Sequence, residues 1–364
     1  MKIGIDFRAA TAAPQSGIAR QIRALTEGVT ATPGCVAVPF TVLTSRSGAP
    51  PGAVCPKWKN DRLHRPLQRL RFEQSFLPGA LRREGIAAYI ATANSGLPWF
   101  GRPAGIRYIV LLHDLFQLTL PKSGLRELRY RLFDTINLRL SLRRADRIWT
   151  PSRYTADQVA RTLPDADTRV RILSCCVERM VPDLSGAPKL PPRYWLAVGT
   201  HEPRKNIPFF LKTWAQASQS NRSIPELVLI GEARDLPRDH LGNDRLHIYG
   251  GLSDSALAAV YRNAEALWHP SYGEGFGLPP LEALAQGTPV IVAHGSALDE
   301  TVPPDALRFP PQDAPELARL MQVVAARPPP RDLPSFSRWV DSFNADAHGK
   351  RLQALLADAL DLRS

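Results

Sequence analysis

Short apolar runs separated by segments of helical period recur along all 364 residues, and this alternation admits few architectures. A strand that is apolar on both faces must be covered on both faces, and a helix following each strand does this in a parallel sheet. The chain therefore reads as α/β, built from doubly wound sheets. Runs at 2–7, 36–43, 88–91, 107–112, 147–150 and 169–173 form a first series of strands, with helices expected to begin near Gly17, Pro66, Ser123 and Ser152. The pattern lapses between 174 and 193, where Pro182, Pro188, Pro191 and Pro192 fall, and a connecting segment is expected there. It restarts with 194–198, 227–230, 246–249, 266–269 and 289–292. The stretch 335–362 reads as helix with a break near Gly349, able to pack back on the first domain.

The expected division is thus 1–185 and 186–335, two Rossmann-like domains, followed by a helical segment 336–364. Domains of about 100–200 residues are the usual size, which suits two cores in this length. Two such sheets in tandem imply a crevice lined by the carboxyl ends of their strands. No apolar run reaches the roughly 18–20 residues that span a bilayer. The amino terminus opens on a strand-like run without the basic, apolar and small-residue regions of a signal peptide, so secretion is not expected. Cys35, Cys55, Cys175 and Cys176 have neither zinc-site spacing nor the density of a disulfide scaffold, which fits a cytoplasmic setting.

Charge is unevenly spread. Residues 1–190 carry 29 basic and 14 acidic side chains, a net of +15, and the remainder 17 and 20, a net of −3. Arg126, Arg129, Arg131, Arg139, Arg143, Arg144 and Arg147 fall in one expected helix and its end, and Arg62, Arg65, Arg69, Arg71, Arg82 and Arg83 crowd an earlier segment. Such a surface is either simply solvated or fitted to an anionic lipid face at the cytoplasmic membrane, where each basic residue contributes on the order of 1 kcal/mol. No nucleic-acid-binding module is recognisable, so nucleic acid is not an expected partner.

The strongest local signal runs from Ser271 to Glu282: Ser-Tyr-Gly-Glu-Gly-Phe-Gly-Leu-Pro-Pro-Leu-Glu. An apolar strand feeds a glycine-rich turn, and a proline at 279 or 280 suits the first turn of a helix, where a missing N–H costs nothing. Backbone N–H groups at Gly275, Phe276, Gly277 and Leu278 then form an anion site for phosphates. Glu274, ahead of that site, is placed to accept from sugar hydroxyls, and Glu282, inside the helix, to bind a ribose diol. The two acids would bracket a diphosphate. A second signal, Val-Gly-Thr-His-Glu-Pro-Arg-Lys-Asn over 198–206, follows the first strand of the second domain. There Arg204 offers a planar fork and Lys205 a compact charge, a pair able to neutralise a diphosphate leaving group in place of a metal ion. Gly199 shares that loop. Two weaker signals lie in the first domain: Gly17, at the start of the first long helix, and His113-Asp114, at the end of a strand, where an imidazole could donate to a sugar hydroxyl while the aspartate orients it or the loop.

The segment from Glu274 to Glu282 resembles the E-x7-E motif of retaining family 4 glycosyltransferases, which have the GT-B fold. That resemblance implies that Glu274 holds donor-sugar hydroxyls, Glu282 the nucleotide ribose, Arg204 and Lys205 the donor diphosphate, and His113 the donor sugar near the reaction centre. It also aligns Gly17 with a glycine-rich amino-terminal loop. It implies front-face transfer assisted by the leaving phosphate, with no cofactor and no metal, so Arg204, Lys205, Glu274 and His113 are the expected catalytic group. The sequence is similar to bacterial transferases of O-antigen or exopolysaccharide assembly, for which a GDP-mannose donor and a lipid-linked glycan acceptor are expected. A UDP-sugar transferase with a soluble acceptor and a sugar-nucleotide epimerase remain alternatives. A metal-dependent transferase would need Asp-x-Asp after a strand, whereas Asp165 to Asp167 falls in an expected turn, and a dehydrogenase would need a G-x-G-x-x-G that does not follow the first strand.

Overall fold

The computed structural model describes the chain apart from residues 45–47, 61–64, 117–124, 184, 201, 237–240 and 362–364, and describes 125–131 and 361 by backbone alone. The expected helix start at Ser123, and the side chains of Arg62, Arg126, Arg129, Arg131 and His201, lie outside the described residues. The chain forms two units, Met1–Cys176 together with Ala345–Ser364, and Val177–Asn344.

The first unit is built on a six-stranded sheet of order β2-β1-β3-β4-β5-β6, all neighbours parallel: β1 Lys2–Asp6, β2 Val36–Phe40, β3 Ile86–Ala91, β4 Arg107–Leu111, β5 Arg147–Thr150 and β6 Val170–Ile172. Period-two alternation sends successive side chains to opposite cores. Tyr89, Tyr108 and Val110 join Phe40, Phe72 and Leu81 on one face, while Ile90, Ile109 and Leu111 join Ile22, Leu25 and Leu356 on the other. The helix Gly17–Ala31 covers the second face, its first turn capped by the Ser16 hydroxyl, which accepts from the Ala19 N–H at 3.1 Å.

The last helix, Ala345–Asp361, lies on the same face, where Leu352, Leu356, Ala359 and Leu360 enter the core. A Cβ at Gly28 would come within 2.7 Å of Leu352, so that glycine permits the close approach of the two helices. The terminal helix is also tied by charge: the Arg147 guanidinium donates to Asp358 at 2.6 Å, and Arg171 lies 3.4 Å from the same carboxylate. Arg147 is therefore buried in this contact rather than part of a solvated basic face. The expected break at Gly349 does not occur. The chain turns instead at residues 342–344, after the helix Leu333–Asp341 of the second unit, because the buried apolar face beyond Gly349 outweighs the roughly 1 kcal/mol helical cost of one glycine.

The second unit has the sheet order β12-β11-β10-β7-β8-β9, again parallel throughout: β7 Tyr194–Val198, β8 Glu226–Ile230, β9 Leu246–Tyr249, β10 Ala266–His269, β11 Val290–Ala293 and β12 Leu307–Phe309. Trp268 is the centre of its core, with ring centroids of Trp195, Phe210 and Phe309 at 4.9, 5.9 and 6.1 Å. The edge strand β12 was not among the sequence expectations, being three residues long with an arginine in the middle. Among the described residues no helix is long and apolar enough to cross a membrane.

Candidate functional site

In the second unit the strand order reverses between β7 and β10, and open parallel sheets take ligands outside the carboxyl ends of their strands at such a point. Both strong motifs hang from these two strands. After β7 the chain enters a left-handed turn at Gly199 (φ 98°), a backbone conformation that favours glycine, beside the Lys205 stem. A single 3-10 turn, Pro203–Lys205, then carries the two cations. Asn206 closes it in the left-handed region (φ 57°), anchored by its amide on the Pro311 carbonyl at 2.6 Å, and the helix Ile207–Ser220 follows.

After β10 the loop from Pro270 to Gly277 is fastened to that turn. The Ser271 hydroxyl and the Tyr272 N–H donate to the Arg204 carbonyl at 2.9 and 3.1 Å, and Arg204 Nη1 donates to the Gly273 carbonyl at 2.9 Å. This brings Glu274, 5% exposed, onto three donors. Arg204 Nη1 reaches Oε2, and Lys205 Nζ (2.7 Å) and His269 Nε2 (2.9 Å) both reach Oε1. Burial by itself would push this carboxyl up, but Lys205, the His269 hydrogen bond and Arg204 together hold it well below the usual carboxylate range. Glu274 is therefore a fixed anion at neutral pH, and both cations beside it are within reach of a competing one.

Gly277 ends the loop in the left-handed region (φ 93°), where a Cβ would come within 2.4 Å of Leu298, and the helix Leu278–Ala285 begins. Among the described residues no side chain caps this helix, and because Pro279 and Pro280 carry no N–H, the donors it can offer a phosphate at its start are the main-chain N–H groups of Gly277 and Leu278. The ring of Phe276 packs edge-on against Phe343 at 5.4 Å, so its main chain, not its ring, is what it can offer a ligand. Glu282 lies inside the helix, where its buried carboxylate accepts from the Tyr261 hydroxyl at 2.9 Å.

In the first unit Gly17 opens the helix Gly17–Ala31, and His113 follows β4, half-buried. Burial pushes the imidazole below its ordinary value. Its Nε2 lies 2.8 Å from the Thr92 carbonyl, which can only accept, so the ring proton resides on Nε2 and Nδ1 is left as an acceptor. In that neutral tautomer Nδ1 can accept a hydrogen bond but not donate one. Asp114 serves the loop, its carboxylate accepting from the Phe116 N–H at 3.1 Å.

A buried ionic group that the sequence reading missed stands at the end of β1. The Arg8 guanidinium pairs with Asp6 through Nε and Nη2 at 2.9 and 2.7 Å, and with Glu73 at 3.0 Å, above the Phe72 ring at 4.3 Å. Gly96 (φ 130°) brings the loop after β3 against it, and a Cβ there would lie 2.9 Å from Arg8 Nη2. Among the described residues no three His, Cys, Asp or Glu side chains converge as metal ligands. A cavity of about 450 Å³ is lined by Trp214, Ser218, Arg222, Asp244 and Arg245, near the amino-terminal end of β9, away from the strand ends that carry the motifs.

Comparison with known proteins decides the family. Residues 185–332 match the family model described as glycosyl transferases group 1, and residues 16–176 match that of the glycosyl transferase 4-like domain. The chain belongs to the glycosyltransferases. Over 207 residues this glycosyltransferase is 30% identical to the O-antigen chain mannosyltransferase RfbU of Salmonella typhimurium, a match covering 56% of the chain and 57% of that protein. It thus spans little more than half the length of that curated relative. Its fold is GT-B, shared with sucrose-phosphate synthase from Thermosynechococcus elongatus (TM-score 0.66, 21% identity, 100% of this chain and 97% of that one). The Anabaena protein HepE, solved in complex with UDP-glucose, shares it too (TM-score 0.69, 15% identity, 98% and 100%). In the glycosyltransferase the structure brings Arg204, Lys205 and Glu274 into one contact and adds His269, whose strand-end position five residues before Glu274 was the available sequence signal.

Proposed function

We propose that the chain is a retaining glycosyltransferase that moves a hexose, mannose in the first instance, from a GDP-linked donor to a lipid-linked glycan during assembly of a cell-surface polysaccharide. The observation that carries this reading is the pairing of Arg204 and Lys205 with the buried Glu274 at the switch point of the second sheet. A donor diphosphate takes the two cations from Glu274, which leaves the carboxylate to receive sugar hydroxyls and ties the release of one acceptor to the filling of the other. As the bond from the anomeric carbon to the phosphate oxygen breaks, the growing negative charge meets Arg204, Lys205 and the main-chain N–H groups at Gly277 and Leu278. The acceptor oxygen bonds to the same face of that carbon and passes its proton to the departing phosphate. These groups balance the charge without a metal ion or other cofactor. Glu282 is assigned to the ribose diol, Gly17 and His113 to the donor sugar, and Gly199 and the 275–278 main chain to the phosphate cradle.

GDP-mannose is favoured by the mannosyltransferase relative, while the UDP-glucose held by HepE supports a UDP-sugar as the second reading. Thermal shift with GDP, UDP, ADP and dTDP and their sugar conjugates, in EDTA throughout, separates them: stabilisation by the guanosine series alone is expected. Binding that requires added divalent metal contradicts the mechanism. A sugar nucleotide returned as its epimer, with no transfer, would identify an epimerase.

The acceptor is assigned to the inner face of the cytoplasmic membrane because the helix Leu125–Arg144 exposes Leu132, Ile136, Arg139 and Arg143, spaced to share one face, on the basic half of the chain. Apolar side chains flanked by arginines suit an anionic lipid surface. Sedimentation with phosphatidylglycerol vesicles is expected to weaken as salt rises and to fail for Arg139→Glu/Arg143→Glu; binding indifferent to salt rejects this surface.

A further inference from the structure

We infer that His269 is the positioning residue for Glu274: its Nε2–H holds the carboxylate in place when Arg204 and Lys205 turn to a diphosphate. The inference rests on the reading of Glu274 as the acid that meets the donor sugar.

His269 ends β10 and is 1% exposed. Among the described residues the unliganded carboxylate is held by three side-chain donors, of which two are cations that a diphosphate attracts. Their departure would leave a buried carboxylate free to rotate unless the third donor stays. His269 is buried, so a ligand at the phosphate site does not reach it, and it is neutral at neutral pH, so no charge draws it away. Burial lowers its proton affinity, the Glu274 hydrogen bond opposes this, and Lys205 and Arg204 lower it further. A carboxylate only accepts, so the ring proton sits on Nε2. Nδ1 is then buried without a hydrogen-bond partner among the described residues. An unpaired buried nitrogen is costly, and the neighbouring strand positions are filled by Ala266, Leu267 and Trp268. An apolar residue would pack at 269 without that cost. The imidazole is accounted for by the one bond it makes, to Oε1 at 2.9 Å.

The test uses the full chain with nitrogen-15-labelled histidine. GDP, UDP, GDP-mannose and UDP-glucose are the probes, and hydrolysis of the sugar nucleotide is the turnover assay. The His269 signal is expected to show the proton on Nε2 with and without nucleotide. His269→Phe is expected to lower kcat about 10- to 100-fold, the scale of a misplaced reacting group, while affinity for the free nucleoside diphosphate, which reads Arg204 and Lys205, is unchanged. His269→Gln, whose amide reaches as far as Nε2, is expected to restore most of the loss. A proton on Nδ1, wild-type kcat in His269→Phe, or equal loss in the Phe and Gln variants overturns the inference. If His269→Phe does not fold, the tautomer and the Gln variant decide. A wild-type chain that binds none of the four probes overturns the role of Glu274 instead, and the tautomer still decides whether His269 holds it.

Discussion

At the scale of single residues, the second unit concentrates its chemistry on one carboxylate, and its neighbours have opposed effects on binding and on stability. Arg204→Ala and Lys205→Ala are each expected to cut donor turnover by at least about 100-fold, the scale of losing one preorganised charge contact in a dry site. Each also strips a cation from a carboxylate that is 5% exposed, and breaking a buried pair costs about 3–5 kcal/mol. Urea denaturation should show Arg204→Met markedly destabilised and Arg204→Met/Glu274→Gln substantially recovered, with turnover absent in both. A double variant as unstable as the single one would show that the Arg204 guanidinium acts through its bond to the Gly273 carbonyl. Gly277→Ala is expected to cost about 1–3 kcal/mol for its left-handed backbone, and more for the overlap with Leu298, measured as a fall in Tm with loss of nucleotide binding.

At the scale of elements, eleven of the twelve strands were legible as short runs rich in apolar residues between helical segments; β12, three residues with Arg308 in the middle, was not, although β6 has the same make-up. The two loops that hold Arg204, Lys205 and Glu274 were legible because glycine, proline and charge fall in fixed order after a strand. The Arg8 group was not. Its partner Glu73 is 65 residues away, inside a stretch of π-helix from Arg71 to Phe76, and no local pattern announces that meeting. Arg8 joins the end of β1 to that helix, and the Gly96 loop rests on the join. Glu73→Ala is therefore expected to cost about 3–5 kcal/mol in urea denaturation, because Arg8 stays buried with half its partners gone. Glu73→Gln should cost less. A neutral Glu73→Ala would mean that Asp6 alone satisfies Arg8.

At the scale of the whole molecule, acid should weaken both units. His113 and His348 in the first, and His269 in the second, have proton affinities lowered mainly by burial, from an ordinary value of 6.5. The unfolded chain then binds protons more readily than the folded one below that pH, so stability is full above 6.5 and falls as pH drops through it. Glu274 behaves alike from a lower start: its contribution is complete above 4.5 and lost below. Denaturation midpoints measured from pH 8 to 4 should decline from about pH 6.5 with a second fall near pH 4, and His269→Gln should flatten the first decline in the second unit. Chain order adds a constraint of another kind. The second unit possesses all of its residues once Asn344 has been made, whereas the first lacks Leu352, Leu356, Ala359 and Leu360 until the helix Ala345–Asp361 has been made. On the ribosome the domain begun second is thus the one that can finish first, and the amino-terminal sheet waits, one face only partly covered by the helix Gly17–Ala31, for a helix made after the whole of the second unit.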